Sequence, residues 1–317
     1  MTHVVAIDLG GTKTAAGLVS DVGSVSHLTR VPTPAALGPD AVLDAVAGLV
    51  RSLMDQTGAR DVSGVGIGTA GVVDGDGRII SATETFASWV GTDLVSGIQT
   101  RLGKGPDWSV TVRNDVDAHA LGELWLGAGR GIESMLMVAA GTGVGGAVVV
   151  NGQLWRGAHY VAGEIGHVPV PGAEGMRCAC GRDGHLEALA AGPAIGRCYS
   201  DLTGQRVDAA EVARLANAGD PIACDVITAA AAGLGRAIAG IVTTLDPDRV
   251  VVGGGVAEAG PVWWEALRAA CRAELVESLA GVPLIQAELG TTAPLLGAAL
   301  AAFEATGLSP REKERRS

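Results

Sequence analysis

The chain has 317 residues, of which 48% are hydrophobic and only 18% are charged, so it is predicted to be globular and long enough for two domains. A net charge of −11 argues against binding to nucleic acid or to an anionic membrane. The five cysteines have no disulfide-type spacing, which favours the reducing cytoplasm. Because aromatic residues are only 3%, the core must be built from aliphatic side chains.

Two predicted hairpins share one pattern. Residues 4–9 form a run of strand-favouring side chains that breaks at the turn Gly-Gly-Thr-Lys and resumes over residues 14–19. The same arrangement recurs as a strand at 135–140, the turn GTGVGG and a strand at 147–150. Backbone N–H groups in such turns can bind phosphate without a helix, although an ordinary tight turn needs the same glycines. The repetition indicates two related halves that face one cleft.

The rest of the chain reads as alternating helices and strands. The segment 226–245 is apolar over about a membrane-spanning length, but Arg236 at its middle favours a buried helix. The charged tail from Ser309 is predicted to be disordered. Helices are predicted at 41–54, 116–126, 188–198, 209–218, 221–245, 261–275 and 295–303, and further strands at 62–67, 109–112 and 249–252.

Two stretches, residues 66–71 and 141–146, match the dinucleotide fingerprint G-x-G-x-x-G. That fingerprint requires a helix directly after the glycines, whose N-terminus holds the pyrophosphate. Strand-like or Asp-rich segments follow both stretches instead, so the context excludes a dinucleotide site.

Residues 163–187 concentrate four side chains of the type that binds zinc. They leave gaps of ten, one and four residues, which suits a tetrahedral site built from a loop and a tight turn. Four protein ligands leave no position for water, so such a zinc would be structural. The alternative is two free cysteines and two unrelated histidines. The four candidate ligands are His167, Cys178, Cys180 and His185, and Glu164 and Glu187 flank them.

Asp115 lies where a predicted strand turns into a helix. Asp is a common helix N-cap, and that role alone would explain it. The other interpretation is a general base, because a carboxylate in the positive field of a helix N-terminus stays ionised and can accept a hydroxyl proton. The residues by themselves leave both interpretations open.

The order of the motifs resembles the ROK family of bacterial sugar kinases. It runs DLGGTK, Asn-Asp, GTGVGG, GEIGH, CxCGxxG and VVVGGG, from residue 6 to about 255. The resemblance implies an α/β protein of the actin-like ATPase (ribonuclease H-like) duplicated fold, with two α/β domains around a cleft. Residues 1–112 would form a smaller domain completed by a helix near 295–305. Residues 113–294 would form the larger one, before the tail at 309–317.

The resemblance also implies a role for individual residues. Asp115 would be the catalytic base toward the 6-hydroxyl of a hexose, with ATP and Mg²⁺ as cofactors and a structural Zn²⁺. His167 would contact sugar and zinc through its two ring nitrogens. The expected sugar ligands are Gly71, Thr85, Asn114, Asp115, Glu164, His167 and Glu187. The expected ATP and magnesium ligands are Asp8, Gly10, Gly11, Thr12, Lys13, Gly141, Thr142, Gly143, Gly254 and Gly255.

Glucose is the expected sugar, and N-acetylmannosamine or N-acetylglucosamine is the alternative. The expected partners are a small-molecule sugar and ATP, within a homodimer or a dimer of dimers, with no nucleic acid and no membrane. ROK repressors carry a winged helix before this fold, whereas the first strand here begins at Val4. A non-catalytic sugar sensor and a polyphosphate-dependent kinase are further alternatives.

Two positions depart from the family pattern. His185 stands where the zinc-binding motif normally has a third cysteine, and histidine is itself a good zinc ligand. Thr85 stands four residues before Trp89, where family members usually have a sugar-binding asparagine. A hydroxyl can satisfy fewer partners than an amide, so weak use of glucose, or a preference for an altered hexose, is expected.

Overall fold

The computed structural model describes residues 2–57, 62–83 and 85–308. The predicted disorder of 309–317 therefore concerns residues outside the described part. Contacts divide the chain into two units. The first comprises residues 1–131, 156–161 and 291–317, and the second comprises 132–155 and 162–290.

The first unit is built on a five-stranded sheet in the order β3-β2-β1-β4-β7. β1 pairs antiparallel with β2 and parallel with β4, so the predicted first hairpin is present. β5 and β6 form a separate pair. The strands are β1 (His3–Leu9), β2 (Lys13–Ser20), β3 (Val25–Pro32), β4 (Val62–Thr69), β5 (Val72–Val73), β6 (Ile79–Ser81) and β7 (Ser109–Asn114). The helices are α1 (Pro39–Thr57), α2 (Leu94–Arg101), α3 (Asp115–Leu126) and α9 (Ala293–Ala305).

Glycines let α3, α9 and β4 pack at backbone distance. A Cβ on Gly122 of α3 would collide with the carbonyl of Ala293, and one on Gly66 of β4 would collide with that of Ala298. This packing places α3 in the first unit, so the division lies after Gly131 and not at residue 112 as predicted. Gly66, which belongs to one of the two fingerprint matches, therefore serves packing.

The second unit is built on a five-stranded sheet in the order β10-β9-β8-β11-β12. β8 and β9 form the predicted second hairpin, and β11 pairs parallel with β8. The strands are β8 (Met135–Ala140), β9 (Val144–Val150), β10 (Gln153–Trp155), β11 (Arg249–Gly253) and β12 (Leu284–Gln286). The helices are α4 (Glu187–Ala190), α5 (Gly192–Thr203), α6 (Ala209–Asn217), α7 (Pro221–Leu245) and α8 (Pro261–Glu274).

The two sheets repeat one topology. In each, an antiparallel pair of hairpin strands is flanked by an antiparallel strand on one side and by two parallel strands on the other. This repetition confirms the predicted duplicated α/β fold.

Helix α7 is long and apolar enough to cross a membrane by length and composition alone, but 61% of its most apolar window is buried. It packs along α8 in the core of the second unit. Arg236, at its middle, is exposed and lies 3.8 Å from the carboxylate of Glu274 at the end of α8. The described structure therefore has the buried helix that the sequence predicted.

One helix prediction needs correction. The segment 188–198 is not a single helix, because Ala191 has an extended backbone (ψ 151°) between α4 and α5. Pro193 follows in the first turn of α5, and proline disfavours helical continuation from the preceding turn. The break lies at the wall of the cavity described below.

Candidate active site

In the turn of the first hairpin, two backbone carbonyl groups accept hydrogen bonds. The Gly10 N–H donates to the Lys13 carbonyl (3.1 Å), and the Thr33 hydroxyl donates to the Gly10 carbonyl (2.6 Å). In the described part of the chain, the N–H groups of Gly11 and Thr12 make no backbone hydrogen bond. These two donors are therefore available to an anion such as a phosphate oxygen.

Two carboxylates of the first unit have raised pKa values, and the charge of one acts on the other. Asp8 lies near the end of β1, and burial together with the nearby charge of Asp115 raises its pKa to about 6, although Arg30 acts in the opposite direction. Burial also raises the pKa of Asp115, against the N–H of Val116 and the side chain of Asn114, which both favour the ionised form. Such paired, partly desolvated carboxylates are typical of functional sites.

Asn114, and not Asp115, caps helix α3. The Asn114 side-chain oxygen accepts from the N–H groups of Val116 (2.8 Å) and Asp117 (3.3 Å). Its amide nitrogen donates to the carbonyl of Gly71 (3.1 Å), which has a positive φ of 103°. Oδ1 of Asp115 also accepts from the N–H of Val116 (3.0 Å), but the N-cap position itself is filled by Asn114.

Thr85 packs on the first hairpin. A Cβ on Gly11 would collide with the Thr85 methyl group, and the Thr85 hydroxyl lies 3.1 Å from that of Thr83. Trp89, four residues later, is buried against Phe86 and donates to the carbonyl of Ala70 (3.3 Å). The loop thus has a fixed base at Trp89, and Thr85 stands exposed beside the turn.

Glu187 braces the turn of the second hairpin. Its Oε2 accepts from the N–H of Val144 (3.1 Å) and would lie 2.7 Å from a Cβ on Gly143, so a larger residue there would displace this carboxylate. Its Oε1 lies 3.7 Å from the sulfur of Cys178. One carboxylate thereby joins the expected phosphate turn to the Cys/His cluster.

The four candidate zinc ligands converge. Their ligand atoms all lie within 4.8 Å of one another. The Cys178 sulfur is 3.6 Å from Nδ1 of His167, and the Cys180 sulfur is 3.2 Å from Nδ1 of His185. Zinc–ligand bonds of about 2.0–2.3 Å in a tetrahedron place sulfur and nitrogen roughly 3.5 Å apart, so the donor set fits zinc. The sequence grouped these four residues correctly.

His167 presents its two nitrogens to different groups. Nδ1 faces Cys178, whereas Nε2 lies 3.8 Å from Oε2 of Glu164. A metal on Nδ1 would fix the ring and leave Nε2 beside that carboxylate. The predicted double contact is therefore geometrically available.

A cavity of about 810 Å³ lies in the second unit, beside the second hairpin turn and helices α5 and α6. It includes Gly141, Thr142 and Gly255 from the predicted nucleotide-binding set. Gly254 has a positive φ of 86° and packs on Ala140 of β8. The cavity also has polar side chains that the sequence did not single out, namely Arg197, Asp208, Arg214, Asn217 and Glu258. Only the small residues around them could have signalled an open space.

Residues 4–305 match the ROK family, and the chain therefore belongs to that family. It is 31% identical to a glucokinase from Thermotoga maritima over 311 residues, which cover 93% of this chain and 96% of that protein.

Two solved structures share the fold. A ROK hexokinase from Thermus thermophilus is 37% identical, with a TM-score of 0.85, and the match covers 96% of this chain and 99% of that one. A ROK family glucokinase from Streptomyces griseus, in complex with glucose and AMPPNP, is 30% identical with a TM-score of 0.80. That match covers 95% and 99% of the two chains.

Proposed function

We propose that the protein is an ATP-dependent sugar kinase that phosphorylates the 6-hydroxyl of a hexose, with glucose as the first candidate. The observation that carries this proposal is Asp115. It stands at the start of α3 beside Asp8, and Asn114 already caps the helix. A carboxylate that is not the N-cap of its helix, with a pKa raised by burial, suits a general base.

Asp115 would accept the proton of the attacking hydroxyl. Its raised pKa makes it a stronger base than an exposed aspartate, provided that it is ionised before the sugar reacts. The N–H groups of Gly11 and Thr12, and those of the 141–143 turn, would bind phosphate oxygens. Asp8 would hold Mg²⁺, which supplies positive charge to the transferring phosphoryl group. Phosphoryl transfer depends mainly on such positioning and charge.

Sugar hydroxyls would be held by residues with spare hydrogen-bonding capacity. Asn114 uses one amide hydrogen on Gly71 and has a second one to donate. Glu164 and Nε2 of His167 are half-exposed and lie together. Glu187 can accept a hydroxyl on Oε1. These groups are proposed as ligands because their positions match the family motifs.

The Cys/His cluster is proposed to hold one structural zinc. Without a metal, burial raises the pKa of the Cys178 thiol to about 11, so the thiol keeps its proton at neutral pH. Zinc is bound by the thiolate, so its binding would release this proton. Two thiolates and two imidazoles leave no open position on the ion. The metal would therefore orient His167 and the loop that carries it.

A second candidate substrate is a hexosamine such as N-acetylmannosamine or N-acetylglucosamine. It is favoured by Thr85, which replaces the family's asparagine and leaves a smaller side chain beside the first turn. The five free cysteines support a cytoplasmic location, and a homodimer is proposed from the family resemblance alone. Analytical ultracentrifugation would test the dimer.

A coupled assay of ADP release with ATP and Mg²⁺, over a panel of hexoses and hexosamines, tests the proposed function. We expect turnover with at least one of these sugars and a phosphate ester at its 6-position, identified by nuclear magnetic resonance. Sugar binding without turnover for every sugar would instead support a non-catalytic sensor.

A further inference from the structure

Asn217 has a fixed amide at the wall of the cavity. Its nitrogen donates to the carbonyls of Ala213 and Ala259, both at 2.7 Å. Since only the –NH₂ end can donate, these bonds define which end is oxygen and use both N–H groups. Among the described residues, no hydrogen bond reaches the side-chain oxygen. The cavity wall therefore carries one oriented, unused acceptor.

This acceptor lies away from the expected phosphate end. A Cβ on Gly141, in the second hairpin turn, would be 3.9 Å from the nitrogen of Gly255. Gly255 begins a short 3-10 helix, Gly255–Glu258, which ends at Ala259, the residue bound to Asn217. Four residues of 3-10 helix rise by about 8 Å, which leaves room for a ribose between phosphates and base. A nucleotide with phosphates at Gly141 would bring its base to Asn217.

Glycine and alanine form a large part of the cavity lining. Side chains no larger than a methyl group offer flat contact to a planar ring, and Gly260 has a positive φ of 93° that excludes most other residues. The small lining residues are Gly196, Ala209, Ala210, Ala213, Ala259 and Gly260. The site thus supplies packing on the ring faces, and Asn217 is one of the polar groups that could meet the ring edge.

The other polar groups mostly have partners. Arg214 makes two hydrogen bonds with Glu211, at 2.8 and 2.7 Å. The Ser200 hydroxyl donates within its own helix to Gly196 (2.7 Å). Arg197 offers donors only, and it would favour a base with a 6-oxo group if it reached the ring edge. Asn217 and Arg197 therefore predict opposite base preferences.

We propose that the side-chain oxygen of Asn217 accepts a hydrogen bond from the 6-amino group of adenine and so selects ATP over other purine nucleoside triphosphates. This inference rests on the proposed ATP-dependent function. Guanine and hypoxanthine carry a 6-oxo acceptor, which would face the Asn217 oxygen with no proton between them. An acceptor that the bound base covers and leaves unpaired lowers kcat/KM by about tenfold to hundredfold.

The wild-type enzyme provides the first test. With one accepted sugar, kcat/KM is measured for ATP, GTP, ITP and purine riboside triphosphate, which lacks the 6-substituent. We expect ATP to exceed each of the others by about tenfold or more. Equal use of all four, or a preference for GTP, would overturn the inference and leave the kinase function intact.

Variants localise the effect. Asn217→Ala should lower kcat/KM for ATP and bring the ATP-to-ITP ratio close to one. Ser200→Ala, on the same cavity, should keep the wild-type ratio because its hydroxyl bonds within α5. If Asn217→Ala kept the wild-type ATP-to-ITP ratio of kcat/KM, Asn217 would not be the residue that selects the base.

Binding provides a test that needs no turnover. Calorimetry should give the wild type a Kd for ADP at least about tenfold below that for IDP. If no triphosphate supports phosphorylation of any sugar, the proposed function fails, and this comparison still decides the role of Asn217. Equal Kd values would contradict it.

Discussion

The two hairpins share a topology but are supported in different ways. The β1–β2 turn is held by Thr33 and has Asp8 two residues before Gly10. The β8–β9 turn is braced by Glu187, and the corresponding strand position is the neutral Ala139. The first turn therefore combines free amides with a negative charge, whereas the second adjoins an open cavity. The duplicated scaffold has been kept while the chemistry of its halves has diverged.

Asp115→Asn tests the proposed general base of the first unit and should have the largest effect. We expect kcat to fall by about a hundredfold to ten-thousandfold with little change in sugar affinity, because proton acceptance is lost while the shape remains. Steady-state kinetics with calorimetric sugar binding measure both quantities. Asp93→Asn, at the N-cap of α2, should leave kcat unchanged. A variant that retained more than a tenth of the wild-type rate would rule out Asp115 as the base.

His185 variants test the cluster that adjoins the second hairpin. We expect about one zinc per wild-type chain, none in His185→Ala, and retention in His185→Cys, because cysteine restores a ligand. Elemental analysis measures the zinc content, and thermal unfolding measures the Tm. The Tm should be lower in the variant that loses zinc. Zinc-free wild-type protein that still phosphorylates sugar would disprove a required zinc.

Asp8→Asn tests the charge that distinguishes the two turns. A folded pKa of about 6 against 3.8 means that Asp8 favours folding most at low pH, and that this contribution is lost as pH rises from about 4 to 6. The variant should lose turnover yet be more stable than wild type at pH 7, by up to about 3 kcal/mol. Denaturant unfolding at pH 5 and pH 7 measures this. If the variant and the wild type were equally stable at pH 5 and at pH 7, the pKa of Asp8 would not be raised by desolvation.

Thr85→Asn should give the smallest effect. If Thr85 contacts sugar, the amide adds a partner for a hydroxyl, and kcat/KM for glucose should rise by about tenfold. Thr83→Asn is the matched control, since Thr83 bonds to Thr85 but does not pack on Gly11. Unchanged glucose kinetics in Thr85→Asn would mean that the hydroxyl does not face the sugar.

The sequence predicted the parts of the fold with regular apolar patterns. Both hairpins and most helices follow from buried strands and amphipathic runs. β3 was missed because it is an exposed edge strand in which polar residues are as common as apolar ones, and β10 and β12 because each has only three residues. Helix α2 was missed because it is a short, weakly amphipathic helix whose clearest signal is its Asp93 cap.

The candidate site was predicted where residue types carry the chemistry. Cysteine, histidine and acidic residues identified the cluster and Asp115. The wall around Asn217 was not predictable, because the alanines on α6 look like those of any packed helix until the fold leaves space beside them. Whether Asn114 or Asp115 caps α3 also needed coordinates, since both residues have the right chemistry.

Helix α9 sets an order of folding during synthesis. It has ten buried residues, packs on β1, β4 and β7 and against α3, and is the last described element of the chain. The first unit therefore lacks one wall of its core until residues 293–305 have left the ribosome, whereas the second unit is complete at residue 290. We expect a chain released at residue 290 to be protected from protease over 162–290 and cleaved readily within 2–131. The half that begins first along the chain would be the last to fold.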